Sequence, residues 1–159
     1  MAGKLVELLM SKKVTPRILV VEDDEMFRDT VREILRDMGY KVRGARNLTK
    51  ATKRLTRHTF DLVLSDIDIG DGSGFDVIQV ARQAHPEAPI VLMSAGADPE
   101  IVRQALDSGA ARFLPKPFGL TELMKTVETL LDSSASNTAN GLSGANGAPD
   151  SPDSSSAGG

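Results

Sequence analysis

The stretch SDIDIGDGSGFD, Ser65 to Asp76, sets Asp66, Asp68, Asp71 and Asp76 among closely spaced glycines. Four chemistries fit such a run: a calcium loop, the nucleophile loop of an aspartate-based phosphatase, an aspartate that accepts a phosphoryl group, or a solvated acidic turn. The calcium loop fails on register. Counted from Asp66, the fifth position is Gly70 and the sixth is Asp71, where that loop requires a ligand and then glycine. A second acidic run, Glu22, Asp23, Asp24 and Glu25, lies far upstream. Acids favour helix N-termini, and that suffices for Asp24 and Glu25. A hydroxyl at Ser94 and an ammonium at Lys116 complete the set of chemically capable groups.

Whether these residues meet depends on the elements that carry them. RILVV, DLVLS and PIVLMSA are short apolar runs, read as buried strands. YKVRGA and RFLP read as weaker ones. Between them run helical patterns. Phe27, Val31, Ile34, Leu35 and Met38 recur on one helical face, which Gly39 ends. A basic helix is expected near Leu48 to His58, and another over GFDVIQVARQAH before Pro86. Pro99 opens a fourth at its first turn. Leu120, Leu123, Met124, Val127, Leu130 and Leu131 mark the apolar face of the last.

Five strands alternating with five helices predict a doubly wound α/β fold with a parallel sheet and helices on both faces. Right-handed crossovers bring every strand's C-terminal end to one edge, where ligands of such folds bind. That edge would collect Glu22 and Asp23, then Asp66 and Asp68, then Ser94, then Lys116. Two carboxylates about 4 Å apart repel by about 4 kcal/mol at an effective dielectric near 20. A raised pKa or a bound cation offsets this. All-oxygen ligands point to a hard cation, and scattered carboxylates suit Mg²⁺ better than Ca²⁺.

Composition narrows the classes. Among 159 residues, 40% are hydrophobic and 26% charged, as in ordinary globular proteins. The net charge of −3 gives no global basic field for nucleic acid. No apolar run approaches the roughly 20 residues of a membrane span, and a cytoplasmic location is expected. With no cysteine, disulfides and thiolate chemistry are excluded. Residues 1–15 are expected to be a flexible extension, 16–132 the folded domain, and 133–159 a disordered tail of Ser, Gly, Ala and Asn. His58 and His85 read as surface residues. The basic stretch from Lys41 to Arg57 reads as a solvated face, with a docking site for an acidic partner as the alternative.

VVEDDE, DLVLSDI, MSA, PKPF and the Gly74–Phe75 pair, in this order after these strands, resemble the receiver domain of two-component response regulators. The resemblance spans about Arg17 to Leu131 and implies a flavodoxin-like sheet of strand order 2-1-3-4-5. It implies Asp66 as phosphoacceptor and Lys116 and Ser94 as its catalytic partners. Mg²⁺ would be held by Asp23, Asp66 and the Asp68 carbonyl, with Glu22 acting mainly through water. Ser94 and Phe113 would form the switch, and the Lys116–Pro117 bond would be cis. Partners would be a histidine kinase or histidine phosphotransfer protein and an output protein, with no nucleic acid and no membrane. The chain would be a stand-alone receiver, monomeric or dimerising on phosphorylation, and no enzyme beyond its own phosphotransfer and autodephosphorylation. A phosphorylation-independent interaction module is the alternative. A phosphatase is disfavoured by the early acidic pair and the absence of a cap domain.

The sequence departs from the family pattern in four places. Gly70 stands where many receivers have Pro, so a more flexible loop is expected. Asp68 stands where many have Met or Asn, and Gly96 leaves room for water; both bear on acyl-phosphate lifetime. Position 113 is Phe rather than Tyr, so any inward swing lacks a hydroxyl.

Overall fold

A computed structural model describes residues 14–96 and 98–140, with side chains as far as Ser134. Its elements are β1 (Arg17–Val21), α1 (Glu25–Asp37), β2 (Lys41–Ala45), α2 (Leu48–Arg57), β3 (Leu62–Asp66), α3 (Gly74–Ala84), β4 (Ile90–Ser94), α4 (Pro99–Asp107), β5 (Arg112–Pro115) and α5 (Leu120–Asn140). The strands form one parallel sheet of order 2-1-3-4-5, as expected.

Successive side chains of a strand point to opposite faces, and both faces here are buried. Ile18 and Val20 pack with Val31, Leu35, Leu123 and Val127 under α1 and α5. Leu19 and Val21 pack with Leu55, Val77, Ile78 and Ala105 under α2, α3 and α4. This two-sided burial explains why β1, β3 and β4 read as unbroken apolar runs. Leu120, expected on the last apolar face, is exposed instead because it stands in the first turn of α5, outside the packed stretch.

Side-chain caps set the helix starts. Asp24 accepts from Phe27 N, Asn47 from Lys50 N, and Asp98 from Glu100 N ahead of Pro99. Ser73 and Asp76 form a reciprocal capping box at α3. Asp76 therefore belongs to the helix start and not to a ligand set. The tail boundary set at Ser133 moves, because α5 continues through Ser133 to Asn140. Once nucleated, a helix gains one hydrogen bond per added residue, which carries it into sequence with little apolar content. The flexibility expected of residues 1–13 and 141–159 lies outside the described residues.

Neither histidine is the exposed surface residue expected; both are half-buried. His85 is half-buried, and its Nε2 lies 2.9 Å from the Leu55 carbonyl oxygen and 2.8 Å from that of His58. Its ring stands edge-on to Phe60. His58 ends α2 as its C-cap and is only partly exposed.

The β3–α3 loop is anchored where flexibility was expected. Asp71 Oδ1 accepts from Leu48 N at 2.7 Å, and Asp71 Oδ2 accepts from Thr49 N at 3.1 Å and Thr49 Oγ1 at 2.7 Å. One carboxylate thus caps the N-terminus of a helix more than twenty residues away. Gly70, next to it, has φ +82°. Proline holds φ near −65°, so the usual residue here is incompatible with this turn.

The Thr49 hydroxyl and the Leu48 amide hold Asp71 below the usual carboxylate range. A depressed pKa stabilises the fold above the unfolded value and loses that effect as pH falls through the folded one. Asp71→Asn is expected to lower the denaturant midpoint at pH 7, with the gap to wild type narrowing as pH drops below 4. Urea melts of both proteins from pH 7 to pH 3 check this.

Candidate functional site

The C-terminal ends of β1, β3, β4 and β5 converge as the crossovers require. Val21 pairs with Ser65, Asp66 with Met93, and Ser94 with Pro115. Each strand therefore delivers its next polar residue to the same edge. The sheet continues one step further through the backbone, with Ile67 N donating to Met93 O and Lys116 N to Ser94 O.

At the centre of this edge stands the Lys116 ammonium. It donates to Glu22 Oε2 and to Asp66 Oδ2, each at 2.6 Å. The second oxygen of each carboxylate is also held. Glu22 Oε1 accepts from Asp24 N at 3.2 Å, and Asp66 Oδ1 accepts from Asp68 N at 3.1 Å. The two acids are therefore oriented in the same way, by the shared lysine on one oxygen and by the amide two residues on at the other. The Lys116–Pro117 peptide is cis, as the resemblance implied.

Burial sets the electrostatics. Glu22 is 1% exposed and Asp66 8%, while Asp23 is open to solvent. Burial, opposed by the Lys116 hydrogen bond, pushes the Glu22 pKa up to about 7, and the neighbouring Asp66 charge adds to the rise. Burial works against the Lys116 charge, yet hydrogen bonds to Asp66 and Glu22 outweigh it and hold its pKa above the ordinary lysine value. Carboxylate oxygens of Glu22, Asp23 and Asp66 lie within 4.8 Å of one another. That all-oxygen cluster, with one open member, fits a hard divalent cation that keeps part of its water shell.

The structure brings Glu22, Asp23, Asp66 and Lys116 into direct proximity. Ser94 is buried at the end of β4, where its hydroxyl accepts from Gly96 N at 3.4 Å. Asp68 is exposed, and its observed hydrogen bond to the site runs through its amide. Phe113 lies half-buried on β5 against the α2–α3–α4 side of the core. Asp71 and Asp76 stand apart from the site, bound to α2 and Ser73.

Three contacts at the site are not legible in the sequence. The Phe27 ring lies under Lys116, with Nζ 4.3 Å from its centroid, a cation–π contact supported by an edge-on contact with Phe118. Helical periodicity marked Phe27 only as core. Arg28 Nη1 donates to the Glu22 carbonyl at 2.8 Å, a long-arm contact that periodicity does not reveal. Gly74 packs against the backbone of Asp66, and a Cβ there would sit 2.7 Å from Asp66 O. The quoted motif contained that glycine but not the reason for it.

Removing Lys116 would leave Glu22 and Asp66 facing each other without a counter-charge. Breaking a fully buried pair costs about 3–5 kcal/mol; with Lys116 partly exposed, about 2 kcal/mol is expected for Lys116→Ala in metal-free buffer. Adding Asp66→Asn to that variant should restore most of the loss. Chemical denaturation of the two single variants and the double variant measures the coupling.

Comparison with known proteins supplies the family and agrees with the fold. A family model described as the response regulator receiver domain matches residues 18–128. The response regulator protein PilR of Pseudomonas aeruginosa is 37% identical over 115 residues, covering 72% of this chain and 26% of PilR. The regulatory protein VanRB of Enterococcus faecalis is 34% identical over 120 residues, covering 76% of this chain and 54% of VanRB. The chain thus spans about a quarter to a half of the length of these relatives. Among solved structures, the non-phosphorylated HemR receiver domain of Leptospira biflexa superposes with a TM-score of 0.68 at 34% identity, covering 74% of this chain and 94% of that one. A CheY-like receiver domain protein of Methanospirillum hungatei gives 0.74 at 26% identity, covering 78% and 99%.

Proposed function

Because the chain belongs to the response regulator receiver domain family, we propose that it is a phosphorylatable switch of a two-component phosphorelay. The observation that carries this reading is the Lys116 bridge to Glu22 and Asp66 beside the open Asp23 carboxylate. Asp66 is the nucleophile. Its carboxylate oxygen attacks the phosphorus of a phosphohistidine, the P–N bond breaks, and the electron pair leaves with the imidazole nitrogen. The Asp68 amide and Lys116 fix the carboxylate before attack.

Glu22, Asp23, Asp66 and the Asp68 carbonyl are the residues that would hold Mg²⁺. When bound there it offsets charge on the phosphoryl oxygens. Lys116 and Ser94 supply the protein's own share of that stabilisation. The acyl phosphate adds roughly two negative charges. Lys116 and Ser94 then take new partners, and Phe113 follows Ser94 in shifting the α4–β5 surface between populations.

In this reading the domain turns over no separate substrate and acts in the cytoplasm. Its donor is a histidine kinase or a histidine phosphotransfer protein, and its output is a changed protein contact or onward phosphotransfer. The same contact would accompany a phosphorylation-dependent dimer. The intact acidic set and Lys116 favour this reading over a phosphorylation-independent interaction module.

Incubation with acetyl phosphate and Mg²⁺ is expected to add one phosphate by mass spectrometry, with no addition in Asp66→Asn. A wild-type chain that takes up no phosphate would leave the interaction-module reading in its place. The exposed Asp68 carboxylate and the open Gly96 bear on hydrolysis of the acyl phosphate. Asp68→Asn and Gly96→Ala are each expected to change the dephosphorylation rate, followed by loss of the phosphorylated mass with time; unchanged rates in both would remove these residues from lifetime control.

A further inference from the structure

The outer side of the sheet at β2 opens into a groove of about 790 Å³. From α1 it receives Arg28, Arg32 and Arg36; from β2, Lys41 and Arg43; from α2, Lys50 and Arg54. Arg17, Arg46 and His58 close its rim, and no acidic residue lines it among the described residues. The whole chain carries a net charge of −3, so this basic strip stands against an otherwise acidic protein. Its one ion pair among the described residues is the 3.2 Å contact of half-buried Arg32 with exposed Asp29. Arg32 Nε is buried without a hydrogen-bond partner. The positive surroundings also depress His58, where slight burial acts first and Arg43, Arg54 and Arg17 add to it.

We propose that this groove docks an acidic, extended polypeptide segment of a partner protein. Three features favour a polypeptide. First, β2 is an edge strand. Lys41 N donates to Pro16 O and Ala45 O accepts from Glu22 N, so by alternation the main-chain groups of Val42 and Gly44 face outward. They meet no strand there; Val42 O has only a 3.3 Å contact from Arg36 Nη2. An extended segment offers the main-chain groups to pair with them. Second, Arg28, Arg32 and Arg36 repeat every fourth residue of α1, a step of about 6 Å. Alternate side chains of a strand repeat at about 6.7 Å, so alternate acids meet successive guanidinium forks. Third, the aromatic rings at the groove are Phe60, buried, and Tyr40, half-buried. They present no open platform on which nucleic-acid bases would stack.

The groove follows β2, which β1 separates from β3 and Asp66; Arg28 lines it and also reaches the site, donating to the Glu22 carbonyl. The test uses the full chain, ¹⁵N-labelled, titrated with a synthetic peptide of alternating glutamate and valine. A matched glutamine–valine peptide and an oligothymidylate serve as comparisons. Saturable binding of the glutamate peptide is expected, with amide shifts at Val42 and Gly44 and affinity falling as salt rises. Arg43→Gln combined with Arg54→Gln should weaken it tenfold or more, while the thermal melt and Asp66 phosphorylation stay unchanged. Lys41→Gln with Lys50→Gln is a second pair with the same expectation. No saturable binding at low salt, equal affinity in both folded variant pairs, or tighter binding of oligothymidylate at the same amides would overturn the proposal.

Discussion

A single ammonium group holds together an edge of the sheet that would otherwise push itself apart. Glu22 and Asp66 arrive there because the topology delivers every strand end to the same place. Burial strips both of much of their water, and nothing in the strands themselves offsets the resulting repulsion. Lys116 comes from the end of the last strand and reaches both acids at once. Its own position is fixed from below by the Phe27 ring and through its backbone by Ser94 O. The first, third, fourth and fifth strands are thus tied to one charge balance. A group that carries negative charge into this edge must compete with Glu22 and Asp66 for the same lysine.

Much of this was legible in the sequence, and the reasons are physical. Strands buried on both faces leave unbroken apolar runs such as LVLS, and helices leave a repeat of three and four such as Phe27, Val31 and Leu35. These patterns were enough to order the elements and to predict which residues meet at the edge. What stayed hidden depends on reach rather than on period. Phe27 under Lys116, Arg28 on the Glu22 carbonyl and Asp71 on the α2 amides join residues that only the finished fold brings together. His85 was misread for the same reason: its two partners belong to another helix's last turn. The tail boundary was misjudged because composition reports burial, whereas a helix already started extends by its own hydrogen bonds.

The β3–α3 loop shows how one short segment serves two needs. Asp66 and the Asp68 amide face the charged edge, while Asp71 turns away to α2. Gly70 between them takes the left-handed turn that separates the two directions. The acidic run is therefore divided at that glycine: Asp66 before it bonds Lys116, and Asp71 after it bonds α2.

The two contacts on α2 have a mechanical consequence. Carbonyl oxygens only accept, so His85 Nε2 must carry its proton and share it between Leu55 and His58. At the other end of the same helix, Asp71 grips the first two amides. Both grips come from the segment that contains α3. The helix is thus a strut pinned at each end to its neighbour, free neither to fray nor to slide alone. A displacement of the loop behind Asp66 would therefore act on α2 at the Asp71 end, while His85 holds its other end to α3.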